Sequence, residues 1–320
     1  MPKAPTKAKA KPTAKAAKPK AKVAPKAPPK SQAKLPKAGK AAKAPKARPA
    51  AAMPSVRPAP PPPPPKPVSI EERTAKLEAR LQSSDAEFQR LYRENLDMSW
   101  IYHDSALEGS VYTVQELRAA IDPTGYQGEI DSSMQPVIEE IRRHREALDF
   151  IRDLAGKRKQ PITIDTIKQI YLILHPEEGD VKSVRYRKDV PQHRLYFHEY
   201  AAPDKIAYKV RDVVDWINDP ETRRTRTTLR LAARAHYDLL RAFPFPEDSG
   251  KVARLLLNLL LLRGGYPPAI VHSTERQRYY EALKGSSATM TQIVQEAIDN
   301  NLGSIEKLLE TYDARHEIPR

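Results

Sequence analysis

No cysteine occurs among the 320 residues. That excludes disulfide staples, thiolate nucleophiles and cysteine-ligated metal sites. Long apolar runs are also missing. The longest strongly apolar stretch is Leu255 to Leu262, whereas a bilayer-spanning helix needs about 20 residues. The N-terminus lacks the apolar central region of a secretory signal and the Arg- and Ser-rich amphipathic pattern of an organellar transit peptide. Residues 1–67 contain no Asp or Glu, no aromatic residue and very few β-branched ones. Such a stretch cannot bury a core, so it is expected to be disordered.

What fills that stretch is Ala, Pro and Lys, with a proline run from Pro60 to Pro65 that should form a stiff, extended spacer. It carries 18 of the 55 basic residues, which leaves 37 basic against 40 acidic residues, a balance of −3, for the remainder. The high isoelectric point therefore belongs to the tail. The tail resembles those of linker histones and histone-like bacterial proteins. Each lysine that neutralises a phosphate releases a counterion, so salt-sensitive binding of nucleic acid or another polyanion is the natural reading. A solubilising tether is the plainer one. The expected setting is cytoplasmic, with the tail placing the chain at the nucleoid, and no membrane partner is expected.

From Val68 onward the pattern becomes helical. Ile70, Leu77, Leu81, Phe88 and Leu91 alternate with charged residues, and Ser69 with Glu72 forms a capping-box pair. A second helix starts near Ser83-Ser84-Asp85. Thr113 and Glu116 repeat the capping-box spacing before a helix ending at Ile121. Gln135 to Leu154 carries one apolar stripe and one charged stripe. Ile164 to Leu174, opened by Thr163 or Asp165, is another helix. Val184 to Tyr200 reads as a short hairpin, and Glu221 to Thr228 as a basic, polar loop. Helices are expected over Pro203–Asn218, Leu229–Ala242, Ser249–Arg263, Arg276–Gly285 and Thr289–Tyr312. The fold class is all-α with one small β-hairpin. The expected organisation is a tail over 1–67, an N-terminal helical segment over 68–155 and a core over 156–320.

Chemistry concentrates in Ala242-Phe243-Pro244-Phe245-Pro246-Glu247-Asp248-Ser249-Gly250-Lys251-Val252-Ala253-Arg254, a polar loop feeding a leucine-packed helix. This stretch, the run through Arg263-Gly264-Gly265-Tyr266-Pro267-Pro268 and the block around Arg276 and Tyr279-Tyr280 resemble the core of the Fic (Fido) family. Ile101 to Gly109 resembles the segment that carries the inhibitory helix in many Fic proteins, and Tyr186-Arg187 with Val190 to Leu195 resembles the flap. The likeness covers about Trp100 to Leu283.

The resemblance implies the Fic helical bundle and an ATP- and Mg²⁺-dependent transfer of AMP to protein hydroxyls. The family signature reads H-P-F-x-[DE]-G-N-G-R-x-x-R. Its His is the general base, its acid holds Mg²⁺, its Gly-Asn-Gly turn opens a helix whose N–H groups cradle phosphate, and its arginines bind the outer phosphates. Here Phe243 stands at the His position. Pro244 and Phe245 match, and Glu247 matches the metal-binding acid. Asp248 and Ser249 replace the first Gly and the Asn, Gly250 matches the last Gly, Lys251 replaces the first Arg, and Arg254 matches the second. The candidate phosphate-binding residues are thus Ser249, Gly250, Lys251 and Arg254, with Glu247 for Mg²⁺. Glu108 matches the inhibitory acid that pairs with Arg254, while Asp104 stands where the family has Ser or Thr. His236 is expected to be structural, and His193 and His198 to be ordinary surface residues. Read by residue type alone, Asp248-Ser249 is an N-cap pair, Gly264-Gly265 a helix stop and the leucines core.

Losing a general base costs about 10²- to 10⁴-fold in rate, and Asp248 adds a negative charge beside the phosphate site. The expectation is a degenerate Fic domain, a pseudoenzyme that binds a protein or nucleotide partner. The alternatives are a protein adenylyltransferase with altered catalytic residues, and a nucleic-acid-tethered regulator in which the domain is the dimerising bulk of a homodimer.

Overall fold

A computed structural model describes residues 68–191 and 200–316. The expectations placed on residues 1–67, and on the hairpin where it passes through 192–199 with His193 and His198, lie outside the described residues. The hairpin's described flank, residues 184–191, carries no strand. Among the described residues every regular element is helical, and no helix is long and apolar enough to cross a membrane.

Local signals set most helix starts. Helix α1 (Ile70–Ser83) opens on the Ser69–Glu72 capping box, and α2 (Ala86–Glu108) opens on Asp85, whose carboxylate accepts from Phe88 N. Helix α2 stops at Gly109, which adopts φ 104°, a conformation that costs glycine nothing. The Thr113–Glu116 box starts α3 (Val114–Ile121). Helix α4 (Gln135–Gly156) has proline in its first turn, where a missing N–H is harmless. Thr163 caps α5 (Ile164–Leu174). Helix α6 (Pro203–Asn218) leads into α7 (Pro220–Thr225). The stretch read as a loop is therefore partly helical: Asp219 accepts from Thr222 N at 2.7 Å and Pro220 pre-sets the first turn. Helices α8 (Thr228–Ala242), α9 (Ser249–Arg263), α10 (Arg276–Glu281) and α11 (Ser287–Arg315) complete the order.

Helix α9 is the axis of the bundle. Ser249 through Leu261 are all buried, and α8, α4, α5 and α2 pack around it. A helix apolar on all sides has no solvent face to present, which is why its leucines show no amphipathic stripe. The leucines read as core lie there, with Leu262 half-buried at the end. The helix stops where expected. Gly265 takes φ 80°, and a Cβ on Gly264 would lie 2.2 Å from Thr228 Cγ2. The chain then turns back along α9, held by Asn258, whose side chain accepts from Ala269 N at 2.7 Å and donates to Ala269 O at 3.2 Å. Helix α11 packs on α8, and α1 docks on α11 through Arg73, which bonds Glu306 and Asp299.

Candidate active site

The α8–α9 turn is held by its backbone. Phe243 is 3% exposed and sits in the left-handed region at φ 46°, a conformation costing a non-glycine residue about 1–2 kcal/mol. The Arg187 side chain offsets that cost. Its Nε donates to Phe243 O at 2.6 Å, and Nη2 donates to Ala201 O at 2.5 Å and to Ala242 O at 3.2 Å. The Arg187 backbone N–H reaches Pro244 O at 2.9 Å. Burial pulls the Arg187 guanidinium below its ordinary range. The Phe243 ring lies 5.0 Å from Tyr200, and Phe245 stacks on Tyr171 at 4.1 Å and 7°. Ser249 then clamps the turn, accepting from Phe245 N at 2.7 Å and donating to Phe245 O at 3.0 Å.

Asp248 occupies the N-cap position of α9 without capping it. At φ 49° its carboxylate makes no bond to the helix N–H groups, which corrects the N-cap reading. The oxygens turn instead to cations: Oδ2 lies 3.1 Å from His175 Nε2 and Oδ1 3.1 Å from Lys251 Nζ. The same His175 ring places Nδ1 2.9 Å from Glu177. Ionised carboxylates only accept hydrogen bonds, so both ring nitrogens must donate and His175 is an imidazolium in this arrangement. Burial pulls its pKa down, but the bonds to Asp248 and Glu177 outweigh that and raise it. Burial pushes Asp248 up, and His175 and Lys251 more than reverse it, leaving the carboxyl well below its ordinary range. Buried Lys251 also reaches Glu140 at 3.2 Å. Desolvation would lower its pKa, but Asp248 and the other neighbours hold it above the ordinary lysine value.

Arg254, its side chain 4% exposed, carries two carboxylates. Nη2 donates to Glu108 Oε1 at 2.6 Å, the partner expected. Nε donates to Asp104 Oδ1, and Nη2 also reaches Asp104 O at 3.3 Å. His144 Nε2 lies 3.1 Å from Asp104 Oδ2, off hydrogen-bond geometry. Burial pushes the Asp104 carboxyl up, and the Arg254 charge with His144 overcomes it and lowers it. The Glu108 carboxylate fills the space over the first turn of α9: a Cβ on Gly250 would meet Glu108 Oε1 at 1.9 Å. An anionic group thus already faces the end of a helix whose dipole and N–H groups attract anions.

The structure therefore gathers Glu108, Ser249, Gly250, Lys251 and Arg254 around the start of α9, with Phe243 in the preceding turn. Glu247 stands apart as an exposed residue, and among the described residues no three His, Asp or Glu side chains converge on a possible metal position. His236 is fully buried, its Nε2 2.9 Å from the Tyr279 hydroxyl, and burial together with the Arg254 charge lowers its pKa to about 3. It is a neutral, structural histidine. Asp104 entered the sequence reading only as a departure from the family pattern; its contact with Arg254, and those of His144 beside it, His175 with Asp248 and Glu140 with Lys251, emerge from the fold.

Residues 161–261 match the model of the Fic/DOC family, and this match spans α5 to α9 with the whole loop. These residues form a Fic/DOC domain. Among curated proteins it is 32% identical over 212 residues to the protein adenylyltransferase fic-1 of Caenorhabditis elegans, covering 63% of this chain and 39% of the relative. It is 30% identical over 187 residues to the protein adenylyltransferase Fic of Nematostella vectensis, covering 57% and 42%. The chain thus spans about two fifths of the length of these relatives. In structure it resembles a Fic-domain-containing signaling protein from Bacteroides thetaiotaomicron, with TM-score 0.61 and 22% identity over 73% of this chain and 94% of that one. It also resembles Fic-1 of Caenorhabditis elegans, with TM-score 0.57 and 24% identity over 73% and 68%. At such identities the structural likeness speaks for the Fic fold alone.

Proposed function

We propose that this Fic domain no longer carries out ordinary AMP transfer and serves as a binding or regulatory module. One observation carries the reading: both signature cations are neutralised by the chain's own carboxylates, Lys251 by Asp248 and Glu140, Arg254 by Asp104 and Glu108. A triphosphate would have to break those pairs and displace Glu108 from above Gly250. Phe243 adds to this, because a phenyl ring takes no proton from a target hydroxyl. The fit to ATP with Mg²⁺ is correspondingly poor. Glu247 is exposed, and among the described residues no three His, Asp or Glu side chains form a metal position around it, so no step is derived through the metal.

The reading is tested by incubating the full chain with labelled ATP, Mg²⁺ and cell extract. No labelled protein should appear, and Phe243→His alone should restore little. Robust labelling by the unaltered chain sinks the proposal.

The second reading is a protein adenylyltransferase with altered catalytic residues. The names of the curated relatives favour it, as does the retention of Glu247, Gly250 and Arg254. Calorimetry with ATP, with and without Mg²⁺, separates the two: heat of binding in the Glu108→Gly variant supports the second reading, and its absence removes it.

A further inference from the structure

The inhibitory pairing of Glu108 with Arg254 accounts for only one of the acids on that guanidinium. An arginine presents its bidentate edge through Nε and one Nη. Here Nε is taken by Asp104 Oδ1, and the neighbouring Nη2 is shared by Glu108 Oε1 and Asp104 O. Nη1 faces the Tyr279 hydroxyl at 3.5 Å, and a Cβ on Gly250 would come within 2.9 Å of it. The Nε–Nη2 edge is thereby closed to a phosphate.

The two acids are not equivalent. Glu108 is the last residue of α2, next to the turn at Gly109, with its side chain 17% exposed. It can swing aside by rotating its own side chain. Asp104 lies one turn further back, 3% exposed, with its second oxygen 3.1 Å from His144 on α4. It can leave Arg254 only if α2 moves as a body or if two charges separate inside the protein. Breaking a buried ion pair by removing one partner is strongly unfavourable, because the remaining charge stays desolvated. Withdrawing Glu108 creates no such cost, since Arg254 and Asp104 remain a neutral pair.

We propose that Asp104 is a second, fixed clamp on Arg254 that keeps a terminal phosphate off this guanidinium even when Glu108 is withdrawn. The inference rests on the reading of a self-occupied phosphate cradle and extends it. Triphosphates are refused by a residue built into the core and not only by a removable one. Asp104 acts as a positioning residue, through Arg254, and touches no ligand itself.

The test uses the full chain with ¹⁵N-labelled arginine and follows solvent exchange of the Arg254 Nε–H by NMR, with inorganic tripolyphosphate as the ligand probe. Arg254→Ala assigns the signal. In Glu108→Gly the Nε–H should stay as protected as in the parent, and tripolyphosphate binding should not rise. Asp104→Ala should lose the protection although Glu108 remains. Loss of protection in Glu108→Gly alone overturns the inference, as does tripolyphosphate binding in that variant that disappears when Arg254→Ala is added. If Asp104→Ala does not fold, the Glu108→Gly arm still decides.

The double variant Asp104→Ala/Glu108→Gly separates this inference from the reading beneath it. Tripolyphosphate binding gained there, roughly 10- to 100-fold for a freed charge-assisted contact, supports the clamp and sinks the idea that the cradle itself is lost. No gain there overturns the clamp, since Arg254 then refuses the phosphate with both acids gone, and leaves the proposed loss of AMP transfer standing.

Discussion

Asp248 offers the sharpest test of what holds the α8–α9 turn, because two opposing effects meet at one residue. Its backbone is in the left-handed region at φ 49°, where glycine is free and most residues are strained by about 1–2 kcal/mol, Asp and Asn by less. Its carboxylate pairs with His175 and with Lys251, each at 3.1 Å. Removing the partner of a buried charge costs about 3–5 kcal/mol when nothing replaces it. Lys251 keeps Glu140 at 3.2 Å, but that side chain is 47% exposed, so the loss should be about 1–3 kcal/mol. Asp248→Asn removes the charge with little change in backbone preference and should cost that amount. Asp248→Ala adds left-handed strain and should be worse by about 1 kcal/mol. Asp248→Gly loses the charge but relieves the strain, and should fall above Ala yet below the parent. Urea unfolding of the full chain measures the order, as shifts of midpoint at constant slope. If Asp248→Gly is as stable as the parent or more so, the ion pairs do not hold the turn and the electrostatic account is wrong.

Further outcomes follow from the same geometry. Asp248 has a lowered pKa, so its contribution is complete above its unfolded value and is lost as pH falls through the folded one. His175 has a raised pKa, so its contribution is complete below its unfolded value and is lost as pH rises through the folded one. Urea midpoints measured against pH should therefore fall away on both sides, and His175→Gln should flatten the alkaline limb. Gly250→Ala should push Glu108 off Arg254, because the new Cβ would lie 1.9 Å from Glu108 Oε1. A calorimetric melting temperature below that of the parent checks this. Phe245→Ala should cost about 3–5 kcal/mol, the usual penalty for truncating a fully buried aromatic, since its ring is 0% exposed and stacked on Tyr171; urea unfolding reads it. Deleting residues 1–67, which carry 18 basic residues, should weaken duplex DNA binding and flatten its dependence on salt, each lost phosphate contact lowering the log–log slope by about 0.9. An unchanged slope removes the tail as the polyanion-binding element.

Helix starts were legible because their signals are local. Ser69 with Glu72, Thr113 with Glu116 and Thr163 satisfy orphan N–H groups within three residues. The helix over 220–225 was missed because its arginines and threonines read as polar loop, while the decisive signal was Asp219 followed by Pro220. At the site, the Glu108–Arg254 pair followed from the family pattern. The Asp104 contact did not, because it joins residues 150 apart in sequence. A local clue existed: Asp97, Ile101, Asp104 and Glu108 share one face of α2, a face that also buries Trp100. Acids on an apolar stripe need cationic partners, and Asp97 finds three, Arg93, Arg145 and Arg152. The Asp248 cap failed for the opposite reason. Its side chain had local N–H groups to accept from, and stronger charged partners won.

The Arg187 staple has a consequence for the chain on its far side. Its guanidinium binds the carbonyl of Ala201, and Ala201 N in turn donates to Arg241 O at 3.3 Å. Positions 187 and 201 are thereby fastened to the same turn that carries Phe243. One side chain thus couples the chain at Ala201 to the turn that leads into the buried charges of the phosphate site.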